Sequence, residues 1–488
     1  MYECPNCASN LRYSIERQNL FCEACGTVLS PYDVKKDSDA EEREDFEVTV
    51  FGCPQCGAQI VSEDNEAAAF CSFCGASTIL DSRISKEKRP AYILPFTKTK
   101  KDCVESFKSM TRRSIFSPDE LKNYKDIDSF RGIYMPYWMY DAEKKGHICY
   151  DVRKSMSKYR GDYEYIDHYN FETDSDSEYS GVVYDASSSF SDNLSQAISP
   201  FDTTQLKEFT PSFLSGFYAD TSDVKPEVYE AEAAELIGQD LFNKLNHDPA
   251  MKSYTGTYDK AKSHVKPDVS KRTLVMLPVW FMSLRHKEQG KEDRVAYVAV
   301  NGQTGETCAD LPIDMKKYAI GAAIAAVAMF VLLSILPFAA TPLVTSIVSF
   351  AIVAVSGIVF SIQSTELQKW ESGESDKGLS SVRKALGWTK SNKKNKFDPQ
   401  TGKKIKEPAE WFGFTRHPII VSAIIAGALF YFRPIKDIWY YGGSIIMLVL
   451  VFFILFKLMK RYNKLTTRPL PQFKRTGGDD SAKQAIRD

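Results

Sequence analysis

The chain carries two cysteine quartets of identical spacing. The first is CPNCASNLRYSIERQNLFCEAC, Cys4 to Cys25, and the second is CPQCGAQIVSEDNEAAAFCSFC, Cys53 to Cys74. Each contains two CxxC pairs separated by fourteen residues, and all four positions shift by 49 between the copies. Two residues between paired cysteines let the backbone turn until both sulfurs face one point. Pro5 and Pro54, with Gly26, Gly57 and Gly75, suit such turns. Between the pairs, LRYSIE and NLF in the first copy, and AQIVSE and AAAF in the second, read as the arms of short hairpins. A hairpin returns the second pair to the first and closes a tetrahedral thiolate cage. The expected ligands are Cys4, Cys7, Cys22 and Cys25 at one site, and Cys53, Cys56, Cys71 and Cys74 at the other. Two structural Zn2+ ions are the expected cofactors, with rubredoxin-like iron and structural disulfides as the alternatives that thiols leave open. Four protein thiolates leave no position for a reactive water, so the metal would hold structure rather than catalyse. Modules this short cannot build a sufficient core without it.

The 488 residues are enough for about three units, and the formal charge of −1 hides strong local contrasts. KKDSDAEEREDFE between the quartets is acidic, whereas KSNKKNKFDPQTGKKIK farther on is basic. The first quartet encloses only Arg12 and Arg17 as basic residues, and the second encloses none. With an acidic linker beside them, the modules would repel phosphates, so protein is the expected partner and nucleic acid is not. No basic start followed by an apolar signal segment is present, which places the N-terminus in the cytosol. A reducing compartment would keep the eight clustered cysteines, out of eleven, available to metal.

From Tyr318 onward the texture becomes apolar. Four runs are expected to span a bilayer: Ala319–Leu336, Leu343–Ile362, the short Pro418–Phe432, and Ile438–Phe456 with Trp439, Tyr440 and Tyr441 at its start. Lys316 and Lys317 precede the first run. Arg383, Lys384, Lys393, Lys394, Lys396, Lys403, Lys404 and Lys406 lie between the second and third, and Lys457, Lys460, Arg461, Lys464 and Arg468 follow the fourth. The excess of positive charge predicts both termini and the long loop in the cytosol. Charged residues are missing inside the runs until Lys457, which argues against an ion or proton pathway.

Between these ends, residues 90–315 read as an aromatic-rich α+β domain. SPDELKNY has a helix start, with Ser117 as cap and Glu120 three residues on. Lys225–Leu245 reads as an amphipathic helix. RGIYMPYWMYDAEKKGHICYDV, LVMLPVWFMSL and VAYVAV read as strands, the last breaking at Asn301-Gly302. Phe171–Asn193 reads as a loop or an exposed hairpin. The aromatic run IYMPYWMY is expected in the core or on the sheet, and Cys103 and Cys308 as packing residues. Alternation along a strand accounts for His147 and Cys149. No GxxxxGK[ST], GxSxG or HExxH occurs, so no catalytic residue is assigned and the chain is not read as an enzyme.

The order of two cysteine ribbons, AYILPF, GIYMPYWMYDA, LPVWFMSL, VAVNGQTGETCADLPID and then apolar spans resembles a bacterial family of TFIIB-type zinc-ribbon-containing membrane proteins. Members are often mislabelled as primosomal replication helicases, a label that the missing phosphate-binding loop argues against. The resemblance implies an association with SPFH-domain or phage-shock-type membrane stress proteins. The first ribbon departs from the second by having Ala8 where the second has Gly57, which predicts a less regular first knuckle.

The expected architecture is therefore multidomain: zinc ribbon 1 at 1–33, an acidic linker at 34–50, zinc ribbon 2 at 51–82, the cytosolic α+β domain at 90–315, transmembrane helices within 318–362, a basic cytosolic loop at 363–417, two more transmembrane helices within 418–456 and a basic cytosolic tail at 457–488. The expected function is a non-catalytic, zinc-binding adaptor or anchor in the plasma membrane that docks protein partners at its cytosolic face. The alternative is a membrane-tethered nucleic-acid-binding or transcription regulator.

Overall fold

The computed structural model describes residues 2–34, 45–53, 58–62, 71, 73, 81–119, 130–154, 158–160, 163–286, 294–335, 341–372, 376–385, 408–466 and 468–469. In the first module β1 (Leu11–Ser14) and β2 (Asn19–Cys22) form a hairpin that pairs Leu11 with Cys22, and β3 (Val28–Leu29) adds to β2. Leu11, Tyr13, Leu20 and Cys22 are buried, as the two-residue period of a half-buried strand requires. These three strands form their own sheet.

The second module is built differently. β4 (Asp45–Gly52), β5 (Gln59–Ser62) and β6 (Asp81–Lys88) belong to a 13-stranded sheet that also carries the middle region. β4 pairs with β6 from Asp45↔Lys88 to Gly52↔Asp81, so regular structure begins inside the stretch expected as an acidic linker. It also runs past the boundary expected at residue 82. β5 pairs with β4; the AAAF arm expected as its partner lies outside the described residues.

The middle region supplies β7 (Tyr92–Ile93), α1 (Lys100–Arg113), β8 (Arg131–Lys154), β9 (Lys158–Arg160), β10 (Tyr163–Tyr165) and β11 (His168–Asp185). There follow α2 (Asp192–Ala197), β12 (Lys207–Glu208), β13 (Tyr218–Ala219), α3 (Glu230–Asn246), β14 (Tyr254–Gly256) and α4 (Tyr258–Val265). β15 (Asp268–His286), β16 (Arg294–Asn301) and β17 (Thr307–Ala309) complete it. The sheet order is β12-β7-β15-β8-β13-β5-β4-β6, with β11 and β14 on β8 and with β16 on β15. The region is α+β, as its sequence predicts.

Two long strands organise this sheet. Residues 132–140 of β8 are buried without interruption, because both faces of the strand are covered. Tyr134, Met276 and Trp280 face one apolar cluster, which includes Leu11 and Tyr13 of the first module. Met135, Tyr137, Leu277 and Phe281 face the other, which includes Phe51, Ile60 and Phe73 of the second. The aromatic run is thus core. β11 pairs with β8 from His168 to Asp185, so the stretch from Phe171 forms an exposed hairpin arm rather than a loop. His147 and Cys149 stand opposite Asp174 and Glu172 on that hairpin.

The helices follow their local signals. Thr99 and Asp102 form a reciprocal capping box at the start of α1, which buries Cys103, Phe107 and Thr111 at helical spacing. The helix expected from Ser117 runs into residues outside those described. In the NGQTG turn, buried Asn301 accepts from the backbone of Gln303 (2.8 Å) and Thr304 (3.0 Å) and donates to the carbonyl of Ile198 (2.8 Å). A side chain at Gly302 would stand 2.6 Å from the Phe96 ring, so that turn needs glycine.

The C-terminal part forms α5 (Met315–Ile335), α6 (Pro342–Ser372), α7 (Lys377–Ala385), α8 (Pro408–Phe432) and α9 (Ile438–Thr466), and then β18 (Arg468–Pro469) on β16. Two long apolar helices, Pro342–Leu367 and Ile438–Thr466, meet the length and hydropathy of a span among the described residues, not four. In α8 the apolar helix found among the described residues is the shorter Ile420–Phe432. α6, α8 and α9 pack together: Ser346 Oγ donates to the Tyr440 carbonyl (3.1 Å), and Gly443 lies so close to Leu429 that a Cβ would stand 2.8 Å from it. Three helix ends are tied to the sheet region. The Asn463 amide at the end of α9 exchanges two hydrogen bonds with the Ile313 backbone (2.6 and 2.7 Å). Lys317 near the start of α5 donates to the Ser117 carbonyl (2.9 Å), and α7, just beyond α6, donates from Lys377 N to Asp192 (2.8 Å).

Candidate metal centre

The first quartet closes as its spacing predicts. Cys4 and Cys22 are buried, Cys7 and Cys25 are exposed, and all four sulfurs lie within 4.8 Å of one another. The Cys4–Cys25 and Cys7–Cys22 sulfur separations are 3.5 Å each. A tetrahedral zinc with Zn–S bonds of ~2.3 Å holds its sulfurs about 3.8 Å apart, so the cage fits after small shifts of the sulfurs. Two matching backbone knuckles aim these thiols. In one, Ala8 N donates to Cys4 O (2.8 Å) and Cys4 N to Ser9 O (2.8 Å); in the other, Gly26 N donates to Cys22 O (2.8 Å) and Cys22 N to Thr27 O (2.9 Å). Ala8 adopts φ 54° and Gly26 φ 76° at the same step. The first knuckle is therefore regular, contrary to the expectation from Ala8; the alanine accepts the left-handed conformation that glycine takes freely.

The knuckle amides and side chains also prepare the thiols for metal. The Thr27 hydroxyl, 3.0 Å from Cys25 Sγ, and then the Thr27 N–H lower the Cys25 pKa to about 6. Burial works against ionisation of Cys4, but the amides of Asn6 and Cys7 outweigh it and leave that thiol lowered. At Cys22 the Cys25 amide favours the thiolate, yet burial and the neighbouring thiols prevail and push it up to about 11. A divalent cation would displace the remaining protons and complete a closed structural site. Cys4, Cys7, Cys22 and Cys25 are not joined by disulfides, so all four sulfurs are available as ligands.

In the second quartet, Cys53 and Cys71 are fully buried, and Cys53 N donates to Ala58 O at 2.8 Å, the counterpart of the Cys4–Ser9 bond. Cys56 and Cys74 lie outside the described residues. One four-cysteine site that could hold a metal such as zinc is therefore seen among the described residues.

The sequence reading missed a group of buried carboxylates. Asp192 accepts from Tyr229 OH (2.6 Å) as well as from Lys377 N. Asp185 is held well above the ordinary carboxylate range by burial and by the nearby Asp192 and Asp376. Asp220 accepts from Ser187 Oγ (2.6 Å) and Ser189 Oγ (2.5 Å), and burial pushes it up to about 6. Only the serine run at 187–189 hinted at this network, which braces the crossover after β11. Cys103 is buried in the core, where burial pushes its thiol up, and Cys308 is half-buried against the second cluster.

No protein family and no solved structure matches the chain. The chain is similar to the uncharacterized protein YdjG of Bacillus subtilis (strain 168), at 28% identity over 321 residues that cover 65% of this chain and 92% of that relative.

Proposed function

We propose that the chain is a zinc-stabilised membrane adaptor, with no catalytic role, that docks protein partners at the cytosolic face of the bilayer. The observation that carries this reading is a closed four-thiol cage fixed to the same sheet domain that holds the ends of α5 and the long apolar α9. Gln18 Nε2 donates to the Phe96 carbonyl (2.7 Å), Tyr13 N to Ser215 O (3.0 Å) and Ser212 Oγ to Pro31 O (2.7 Å), so one side of the first ribbon is committed to the domain. The exposed knuckle tips, Asn6–Ala8 and Glu23–Gly26, remain as the surface for a partner.

The apolar surface of α6 and α9, including Val355 and Phe452, suits lipid. In this proposal α5 and α8 also enter the bilayer, which puts both termini and the basic loop in the cytosol. Cys53, Cys56, Cys71 and Cys74 hold a second zinc, as the conserved-in-spacing knuckle bond at Cys53 favours. The resemblance to TFIIB-type zinc-ribbon membrane proteins makes an SPFH-domain or phage-shock-type protein the partner to seek. The test compares the detergent-solubilised parent with a Glu23→Arg, Ala24→Arg variant for bound zinc and for co-purified SPFH-domain or phage-shock-type protein. Retained zinc with loss of that partner is expected; equal recovery from both would sink the knuckle-docking proposal.

A further inference from the structure

α1 ends in Arg112 and Arg113, both exposed, and the chain then runs Ser114-Ile115-Phe116-Ser117. Ile115 is 71% exposed, although apolar clusters that could shelter it lie within the same domain. The loop is fixed in place. Phe116 meets Tyr318 edge-on with ring centroids 5.4 Å apart, and its ring would stand 2.9 Å from a Cβ on Gly321. Asp314 N donates to the Phe116 carbonyl (2.7 Å), and Lys317 Nζ reaches the Ser117 carbonyl (2.9 Å) and Asp119 (2.5 Å). These contacts hold Phe116 level with the first turns of α5, where the exposed apolar side chains Ile320 and Ile324 begin. At ~1.5 Å of rise per residue, Phe116 and Ile320 differ in height by less than about one helical turn. A lipid layer that covers Ile320 therefore also meets Ile115 and Phe116.

An apolar tip flanked by two arginines matches the chemistry of an anionic lipid interface, with acyl chains below and phosphates beside it. We propose that the 114–117 loop dips into the headgroup–acyl boundary of an anionic bilayer, with Arg112 and Arg113 on the lipid phosphates. The sheet domain is thereby held at a fixed height over the membrane by a second contact besides its helices. This inference rests on the reading that α5 enters the bilayer.

The test places an environment-sensitive fluorescent amino acid at position 115, 324 or 165 of the full chain, one position at a time. Each protein is reconstituted in vesicles of phosphatidylcholine and phosphatidylglycerol that contain acyl-brominated lipid. Position 324 reports α5, and position 165, beside the far end of the long hairpin, reports background. Quenching at 115 is expected between the two and roughly twofold or more above 165, and it should weaken in pure phosphatidylcholine. Quenching at 324 with none above background at 115 would overturn the loop proposal and leave α5 in the bilayer. Background quenching at both 324 and 115 would remove the α5 reading and the inference with it. Equal quenching at 115 in neutral and anionic vesicles would overturn the role given to the arginines.

Discussion

The two cysteine quartets share their spacing and their local register, yet they are built into the molecule in different ways. Glu3 bridges Asn10 in the first copy, and Gly52 pairs with Gln59 at the equivalent step of the second. The Cys4–Ser9 and Cys53–Ala58 backbone bonds are both 2.8 Å. Beyond these steps the copies diverge. β1, β2 and β3 make a separate small sheet, attached to the domain largely through side chains and turns. β4 and β5 are strands of the main sheet, and Phe51, Ile60 and Phe73 share a core with Val279 and Phe281. One spacing thus serves two designs: a separate small sheet whose Leu11, Tyr13 and Leu20 pack onto the domain's first apolar cluster and whose thiols could share a metal, and a module whose strands are part of the main sheet itself.

The strongest way to break that comparison is to strip the proposed metal with a chelator. Structural zinc contributes on the order of 10 kcal/mol to short modules of this kind. After chelation, amide hydrogen exchange should rise sharply across Leu11–Ser14 and Asn19–Cys22. Val50 and Val61, which are paired within the main sheet, should keep most of their protection. Cys22→Ser should reproduce the effect and lower bound zinc by one ion per chain. Equal loss of protection in both modules would mean that the second depends on metal as fully as the first.

The complementary experiment attacks the borrowed core. Phe73 is buried against Phe281, with ring centroids 5.8 Å apart. Phe73→Ala should cost about 3–5 kcal/mol and lower the thermal midpoint of the whole sheet domain. Leu20→Ala in the first module should act locally, raising exchange in β1–β3 with a smaller shift of that midpoint. If Phe73→Ala leaves the domain's midpoint unchanged, the second module is not part of its core.

A pH comparison probes the edge where β13 meets β5. Asp220 follows Ala219, the partner of Val61, and its pKa is about 6, raised from the ordinary 3.8 by burial. A raised carboxyl favours the folded state fully below the unfolded value, and this contribution is lost as pH rises through about 6. The loss amounts to at most about 3 kcal/mol between pH 4 and pH 7.5. Asp220→Asn should flatten that part of the pH profile, read from thermal midpoints at the two pH values. Parallel profiles for parent and variant would show that Asp220 does not titrate in the folded domain.

Much of this was legible in the residues, and what was not has physical causes. CxxC spacing encodes a local turn, so the first site could be read without knowing the fold. The uniform burial of 132–140 was foreshadowed by the aromatic run, since a strand covered on both faces lacks alternation. The boundaries of the second module were not legible, because strand pairing across Asp45–Gly52 and Asp81–Lys88 is non-local and both segments are charged. The buried aspartates were hidden for a related reason: their partners Ser187, Ser189 and Tyr229 converge only after the chain has folded. Counting apolar residues gave four spans, whereas Pro342–Leu367 and Ile438–Thr466 alone have the continuous length and hydropathy among the described residues.

The smallest expected effect is also the most direct comparison of the two copies. Ala8 holds φ 54° at a step where the second copy has Gly57. A left-handed alanine costs about 1–2 kcal/mol relative to its preferred conformation, and glycine escapes that cost but loses more chain entropy on folding. Ala8→Gly should therefore stabilise the first knuckle by roughly 0.5–1 kcal/mol, or about a two- to fivefold gain in zinc retention. Competition with a chromophoric chelator would measure it. A loss of retention would mean that the stiffness of alanine in the unfolded chain outweighs its folded strain. The difference between the copies would then favour the first site as it stands, instead of being a tolerated defect in a knuckle held by its neighbours.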